Sequence, residues 1–147
     1  MKAESSRPRV LPEVLPETEF YWKSGANGVL SFLRCQDCKF YVHPPKPICP
    51  NCYKFNLKPE AVSGKATIGG FTVNSQPWRA GVPLPYVVAL ADIVEQKGLR
   101  LTTSIINCEI EDISVDMPVR VVFEEAEDVF LPLFEPDPAA NTKGGTR

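Results

Sequence analysis

Residues 35–52 read CQDCKFYVHPPKPICPNC, in which two Cys-x2-Cys motifs are separated by ten residues. Each motif places two sulfur atoms on the same side of a tight turn, and two such turns facing each other build a tetrahedral four-sulfur site. Thiolates at ~2.3 Å suit zinc, and a shell of four thiolates leaves no open position for water. The spacing predicts one structural metal ion, with zinc favoured over mononuclear iron. Its ligands are Cys35, Cys38, Cys49 and Cys52.

The alternative arrangement of these four cysteines is a pair of disulfides. Residues 1–7 contain no apolar core of the kind that a secretory signal needs. We therefore expect the reducing cytoplasm, where disulfides rarely persist. No stretch approaches the ~20 apolar residues of a membrane-spanning helix. The single histidine, His43, lies between the two motifs. Because four cysteines already complete the metal shell, we expect His43 to be an exposed loop residue.

The segment before the cysteines divides into an extended stretch and a helix. Residues 1–15 are rich in proline and charge and lack periodicity, which predicts an extended segment. A helix is expected to begin at residues 16–19 (PETE) and to stop near Gly25 or Gly28, because proline and acidic side chains favour a helix N-terminus. Its three consecutive aromatic residues exceed what one packed face buries, so they pack within the chain, contact a partner, or do both. These are Phe20, Tyr21 and Trp22.

From residue 65 onward the pattern is that of a small β-barrel. Gly69 and Gly70 lie inside the first strand-like run and indicate a bulge or a sharp bend. Five strands in about 70 residues favour an OB-type barrel over a sandwich, which usually needs seven. The runs are 66–74, 86–94, 99–106, 119–124 and 129–134. The fold expected is mainly β, with a helix and zinc ribbon in 16–64, a barrel in 65–136, and a disordered tail in 137–147.

The distribution of charge weighs against nucleic acid as a ligand. A zinc ribbon joined to an OB barrel is common in nucleic-acid-binding proteins, and this class remains the alternative hypothesis. Binding a phosphate backbone needs a basic groove. Residues 1–64 carry nine Lys or Arg against six Asp or Glu, whereas residues 65–136 carry five against eleven. Repulsion by the acidic barrel is therefore expected to dominate, and we expect neither nucleic acid nor a membrane as a partner.

Few residues suggest catalysis. Cys108 is followed by acidic residues and has no second histidine to activate it, so it is expected to be a buried or half-buried, inert thiol. The segment 75–85 (SQPWRAGVPLP) stands out because it places Trp78 and Arg79 on a proline-stiffened loop. Trp and Arg are common at binding hot spots. We expect Trp78 and Arg79 to contact a partner or a ligand, the alternative being that Trp78 folds back onto the barrel.

The features occur in an order that resembles the domain-of-unknown-function-35 family. The order is an aromatic helix (Phe20, Trp22), two cysteine motifs enclosing Pro44-Pro45, Ser63-Gly64, Met117-Pro118-Val119 and Leu131-Pro132-Leu133-Phe134. Members are small proteins with an N-terminal helix, a rubredoxin-like zinc ribbon and an OB fold. The resemblance covers residues 16–136. Asp116 departs from it, because the family commonly has glycine before the Met-Pro-Val segment.

This resemblance implies an accessory role in acyl-CoA metabolism. Family members pair with thiolase-like enzymes or are fused to hydratases, and the partner supplies the catalytic residues. The chain is similar to members that accompany lipid-transfer-protein-like thiolases in bacterial sterol side-chain degradation, where the pair acts as an aldolase on a steroid acyl-CoA. A two-plus-two assembly is expected. The predicted contact with the partner or with acyl-CoA comprises Phe20, Tyr21, Trp22, Pro44, Pro45, Trp78 and Arg79.

Overall fold

The computed structural model describes residues 9–140, and the predictions for residues 1–8 and 141–147 lie outside the described residues. The helix α1 (Glu19–Lys23) is shorter than predicted, because residues 16–18 form a turn before it. Glu19 and Lys23 form an ion pair of 3.4 Å along its exposed side. A 3-10 turn (Ser24–Asn27) extends the helix and ends at Gly28, whose φ of 69° lies in the left-handed region that favours glycine.

Three strands form the sheet of the ribbon. They are β1 (Leu30–Cys35), β2 (Tyr41–Val42) and β3 (Leu57–Val62), in the antiparallel order β2-β1-β3. The run 29–34 (VLSFLR) leading into the first cysteine motif predicts β1, whereas the sequence did not predict β2 and β3. The first Cys-x2-Cys motif connects β1 to β2, and the second lies in the connection between β2 and β3. The sheet therefore brings the two motifs to the same end of the ribbon.

Five further strands form the predicted barrel. They are β4 (Lys65–Asn74), β5 (Tyr86–Ile93), β6 (Arg100–Thr103), β7 (Pro118–Ala126) and β8 (Val129–Pro136). Their antiparallel order is β6-β5-β4-β7-β8. The register between β4 and β5 shifts between Ile68 and Gly70, which confirms the bulge expected at the glycine pair. The third strand is shorter than the predicted range of 99–106, and residues 104–106 instead run beside β8.

The barrel is nearly closed by a short seam between β6 and β8. A parallel bridge pairs Ile105 with Phe134, and the backbone N–H of Ile106 donates to the carbonyl of Phe134 at 2.9 Å. Beside it, the N–H of Phe134 donates to the carbonyl of Ser104 at 3.1 Å, and the Thr103 hydroxyl donates to the carbonyl of Pro132 at 2.9 Å. Because proline has no N–H group, β8 cannot donate a backbone hydrogen bond at Pro132. The seam is therefore held by few contacts.

One continuous hydrophobic core spans the ribbon and the barrel. Tyr21 and Phe32 belong to the same cluster of buried side chains as Ile68 and Phe134 of the barrel. Gln96, in the turn between β5 and β6, also exchanges two hydrogen bonds with the backbone of Tyr41, at 2.8 and 3.0 Å. The two parts of the chain that differ in charge therefore share one hydrophobic core. The domain boundary between 16–64 and 65–136 stays a prediction.

Two short turns flank the last two strands of the barrel. The acidic connection before β7 contains a 3-10 turn (Ile110–Asp112). The predicted tail begins as an ordered turn, in which the N–H of Asp137 donates to the carbonyl of Pro118 at 3.1 Å. The disordered tail expected over 137–147 stays a prediction, because residues 141–147 lie outside the described part of the chain. Within residues 9–140, no helix has the length and apolarity to cross a bilayer.

Candidate functional site: a four-cysteine centre and an apolar groove

The four predicted cysteine ligands converge at one point. Their sulfur atoms all lie within 4.8 Å of one another. The Sγ atoms of Cys35 and Cys52 are 3.5 Å apart, and those of Cys38 and Cys49 are 3.6 Å apart. A tetrahedron with metal–sulfur bonds of ~2.3 Å has edges of ~3.8 Å. The separations are close to these edges and well above the ~2.05 Å of a disulfide, so the cluster fits a structural metal and not a disulfide pair.

The two cysteine motifs have the same backbone geometry. In the first, the N–H of Lys39 donates to the carbonyl of Cys35 at 2.9 Å, and the N–H of Cys35 donates to the carbonyl of Phe40 at 2.9 Å. In the second, the N–H of Tyr53 donates to the carbonyl of Cys49 at 2.9 Å, and the N–H of Cys49 donates to the carbonyl of Lys54 at 2.9 Å. Lys39 and Tyr53 both have positive φ, at 65° and 61°. This repeated turn, hereafter called a knuckle, directs each sulfur pair toward the centre.

The pKa values of two of the four cysteine thiols are displaced in opposite directions. The Asn51 side chain and the backbone of Phe40 form hydrogen bonds that lower the pKa of Cys38 to about 6. The pKa of Cys52 is raised to about 12 by burial and by the neighbouring cysteine sulfurs, which outweigh a lowering hydrogen bond from the Lys54 backbone. Four adjacent thiolates repel one another, so the fully ionised shell needs a metal ion to stabilise it.

His43 is not the exposed loop residue that the sequence predicted. Its ring lies 5.1 Å from the ring of Tyr21 and 4.8 Å from that of Phe32, measured between centroids. Burial lowers the pKa of His43 to about 4, so the imidazole is neutral at pH 7. The prolines that follow it suggested a solvated loop, but two aromatic residues from other elements cover the ring. His43 is therefore a half-buried loop residue that packs against Tyr21 of α1 and Phe32 of β1.

The principal cavity among the described residues is an apolar groove of about 600 Å³, within the usual volume of ligand sites. It lies over β5, β6 and the Pro132 region of β8, the face that OB folds commonly use for ligands. Residues 9–12, α1 and the loop 75–85 form its remaining walls. The lining residues are Arg9, Val10, Leu11, Pro12, Tyr21, Trp22, Arg79, Val82, Tyr86, Val88, Thr102, Thr103, Ser104, Leu131, Pro132 and Leu133.

The groove brings together residues that the sequence assigned to two separate surfaces. Trp22 of α1 and Arg79 of the loop both line it. Trp78 is 78% exposed and its indole N–H donates to the Asn74 side chain at 2.7 Å. The alternative in which Trp78 folds back onto the barrel is therefore wrong. Tyr21 is only 5% exposed, so it serves the core and offers little surface to a partner.

The other predicted contact residues remain partly accessible. Phe20 and Trp22 are half-buried against the core, Pro44 is exposed and Pro45 is half-buried. Neither Pro44 nor Pro45 lines the groove. The predicted contact surface therefore divides into a groove part, which contains Trp22 and Arg79, and a ribbon part, which contains the two prolines.

An ion pair attaches the N-terminal wall of the groove. The Arg9 Nε donates to the Glu124 carboxylate of β7 at 2.9 Å, and both side chains are less than one-fifth exposed. The Nη2 of Arg9 and the second oxygen of Glu124 are buried and have no hydrogen-bond partner among the described residues. Residues 9–15 have no regular secondary structure, as predicted, yet this pair attaches them to the barrel. The sequence offered no sign of a pair joining residues so far apart in the chain.

Cys108 has the properties expected of an unreactive thiol. It is half-buried, and burial together with the charges of Asp112 and Glu109 raises its pKa. A thiol with a raised pKa is mostly protonated near pH 7 and is a poor nucleophile. It packs against the core cluster and lies outside the groove.

Sequence reasoning missed two strongly exposed aromatic residues on the ribbon. Tyr53 is 76% exposed and Phe55 is 74% exposed, more than any aromatic residue of α1. They follow the second knuckle directly. The sequence did not indicate their exposure, because aromatic residues beside a metal-ligand motif are easily assigned to packing around the knuckle.

Comparisons with known proteins agree with this architecture. The ribbon matches the model described as "ChsH2, rubredoxin-like zinc ribbon domain" over residues 22–58. The barrel matches "ChsH2, C-terminal OB-fold domain" over residues 59–124. A solved structure described as "Ltp2-ChsH2(DUF35) aldolase" is 30% identical, with a TM-score of 0.77, and the match covers 86% of this chain and 98% of that chain. The protein is thus a zinc-ribbon and OB-fold protein. It belongs to the DUF35/ChsH2 family.

Two longer relatives carry hydratase names. The chain is 32% identical over 136 residues to a probable enoyl-CoA hydratase alpha subunit of Thermomonospora curvata. This match covers 92% of the present chain and 41% of that protein. It is 27% identical over 126 residues to the 3-oxo-4,17-pregnadiene-20-carboxyl-CoA hydratase alpha subunit of Mycobacterium tuberculosis, covering 86% of this chain and 40% of that protein. The chain therefore spans about two-fifths of each subunit.

Proposed function

We propose that this chain is a non-catalytic accessory subunit or domain that binds a thiolase-like acyl-CoA enzyme and supports its activity. The observation that carries the proposal is the likeness to the Ltp2-ChsH2(DUF35) aldolase, in which nearly the whole of the matched chain is covered. The closed four-sulfur centre supports it, because a metal with four thiolate ligands stabilises a fold and has no position for substrate.

The groove supplies a contact for the partner or for its acyl-CoA. Its apolar walls suit an acyl or pantetheine chain, and the Arg79 guanidinium at its edge suits a phosphate group. Trp78 extends into solvent from the same loop, and a Trp side chain of this exposure is a frequent anchor of protein contacts. Phe20, Pro44 and Pro45 would extend the contact with the protein partner beyond the groove.

The specific reaction that we propose is retro-aldol cleavage of a steroid side-chain acyl-CoA in sterol degradation, with the thiolase-like subunit providing the catalytic residues. The expected assembly has two copies of each subunit, because thiolase-like enzymes are commonly dimers. We propose zinc as the metal, since it prefers a closed four-thiolate shell. We propose the cytoplasm as the location, because a four-thiolate centre is favoured in a reducing compartment, where disulfides rarely persist.

The position of the groove weighs against nucleic acid as its occupant. In OB folds that bind oligonucleotides, the face formed by the second and third strands is the binding surface. Here residues 10–12 and Trp22 stand at that face and form walls of the groove. The barrel also carries the excess of acidic residues, which repels a phosphate backbone. The apolar walls of the groove suit an acyl or pantetheine chain better than a continuous phosphate backbone.

The proposal is tested by co-expressing the chain with Ltp2-type thiolase-like subunits. Size-exclusion chromatography reports the complex, and a retro-aldol assay on a steroid acyl-CoA reports its activity. We expect a stable complex and activity that depends on this chain. Separate elution together with full activity of the partner alone would refute the accessory role. A complex that acts only on another acyl-CoA would retain the partner class and refute the steroid assignment.

Variants of the loop separate the two contacts. Arg79→Ala is expected to raise the KM for acyl-CoA several-fold while the complex still forms, because it removes a phosphate partner. Trp78→Ala is expected to weaken complex formation. Lys97→Ala is the matched control, since Lys97 is an exposed cation on a different turn of the barrel. Equal effects of Arg79→Ala and Lys97→Ala would exclude a specific role for Arg79.

A further inference from the structure

The end of the ribbon carries an apolar surface that neither the metal nor the groove uses. Tyr53 is 76% exposed, Phe55 is 74% exposed and Ile48 is 39% exposed. All three lie within residues 48–55, around the second knuckle. We call these three residues the knuckle patch. Large apolar side chains of this exposure, close together in the chain, commonly mark an interaction site.

The knuckle holds part of this patch in a fixed position. The backbone N–H of Tyr53 donates to the carbonyl of Cys49 at 2.9 Å, and the N–H of Cys49 donates to the carbonyl of Lys54 at 2.9 Å. Tyr53 directly follows the ligand Cys52, and its φ of 61° is imposed by the turn. A backbone held in this way loses little further entropy when a partner binds, which favours affinity.

The segment of the chain that contains the patch carries mostly positive charge. Residues 36–58 contain four lysines and a single acidic residue, Asp37. Asp37 forms an exposed ion pair of 3.8 Å with Lys54. Lys39, Lys46 and Lys58 are exposed. The barrel, in contrast, carries eleven of the acidic residues. An occupant of the patch therefore needs an apolar centre and negative charge around it.

We infer that the knuckle patch is a docking surface for the thiolase-like partner, which contributes an apolar recess bordered by carboxylates. This inference rests on the proposed function and extends it to a second contact, separate from the groove. Aromatic and lysine side chains also suit a single-stranded nucleic acid. A protein surface fits better, because its negative charge is local, whereas a nucleic acid strand that continued past the ribbon would approach the acidic barrel.

The test measures binding of the full chain to an Ltp2-type subunit with which the wild-type chain forms a complex. The double variant Tyr53→Asn/Phe55→Ser removes the two aromatic side chains, and Asn tolerates the positive φ at position 53. We expect the dissociation constant to rise at least about tenfold. Val115→Ser is the matched control, because Val115 is an apolar residue that is 55% exposed on the barrel. Metal content and thermal unfolding of both variants should match the wild type, since neither change removes a buried side chain.

The charged part of the surface is tested separately. Lys46→Glu/Lys58→Glu is expected to slow association about tenfold at low salt, with a smaller effect at high salt, because these charges steer an acidic partner. Lys97→Glu on the barrel should change the rate less than twofold.

Three results would overturn the inference. The first is a dissociation constant for Tyr53→Asn/Phe55→Ser within twofold of the wild-type value, which leaves the accessory role intact. The second is micromolar binding of a labelled 20-nucleotide single strand near 0.15 M salt that the same double variant abolishes. The third is the absence of any complex between the wild-type chain and the tested subunits, which also removes the proposed function.

Discussion

Acidification is expected to destabilise this protein through His43. The ring lies against Tyr21 and Phe32, and burial lowers its pKa from 6.5 to about 4. Between pH 6.5 and pH 4 the unfolded chain therefore binds more protons at His43 than the folded chain does. The contribution of neutral His43 to the free energy of unfolding is fully present above pH 6.5 and is lost as the pH falls through this window. Each pKa unit corresponds to ~1.4 kcal/mol, which gives a loss of about 2 kcal/mol between pH 7 and pH 5.

The matched variant for this prediction is His43→Phe, which keeps an aromatic ring and removes the titration. Urea unfolding at pH 7, 6 and 5 gives the free energy of unfolding of both proteins, and metal analysis at each pH shows whether the four-cysteine centre stays loaded. Protonation of the cysteines destabilises both proteins equally, so the difference between them reports His43 alone. We expect the wild type to lose about 2 kcal/mol more than the variant. Parallel pH dependence of the two proteins would refute the assignment of a buried, neutral His43.

Three further changes test other parts of the fold. Gly25→Ala places a Cβ atom 2.5 Å from Cδ1 of Phe123, so urea unfolding should show a loss of about 1–3 kcal/mol. Gly70→Ala, which meets no atom within 4 Å, should change stability less, and equal losses would mean that the 3-10 turn after α1 does not pack closely on the barrel. Asp116→Gly should stabilise the protein by up to ~1 kcal/mol in the same assay, because Asp116 has a φ of 67°; a loss would assign a stabilising role to its carboxylate. Cys49→Ser should reduce bound zinc well below one per chain and remove hydrogen-exchange protection in residues 30–62, and full protection without metal would contradict a structural centre.

The sequence predicted those features that depend on local spacing. The Cys-x2-Cys motifs indicated the sulfur cluster because a knuckle needs only a few neighbouring residues to form. Strand positions in the barrel followed from runs of apolar residues, and Gly69-Gly70 indicated the bulge. The departure at Asp116 also has a local meaning, since its backbone adopts the left-handed conformation for which the family commonly uses glycine.

The features that the sequence did not reveal depend on contacts between distant segments. β3 contains Pro59 among polar residues and does not resemble a strand, but it pairs only with β1, and an edge strand tolerates proline. His43 is covered by residues from α1 and β1. The groove forms because four separate segments meet over β5 and β6. The residue pattern within one segment cannot predict a groove that several segments form together.

The weak seam beside Pro132 has a consequence for how the chain behaves at high concentration. Strands with incomplete backbone pairing are templates for pairing with another molecule, and proteins commonly cover them. Here residues 10–12 stand beside the seam, attached through the ion pair of Arg9 with Glu124. A chain shortened to begin at residue 16 loses this cover and should self-associate, which light scattering over a concentration series would detect. Residues 9–12 would then both line the groove and limit aggregation of the chain through the seam.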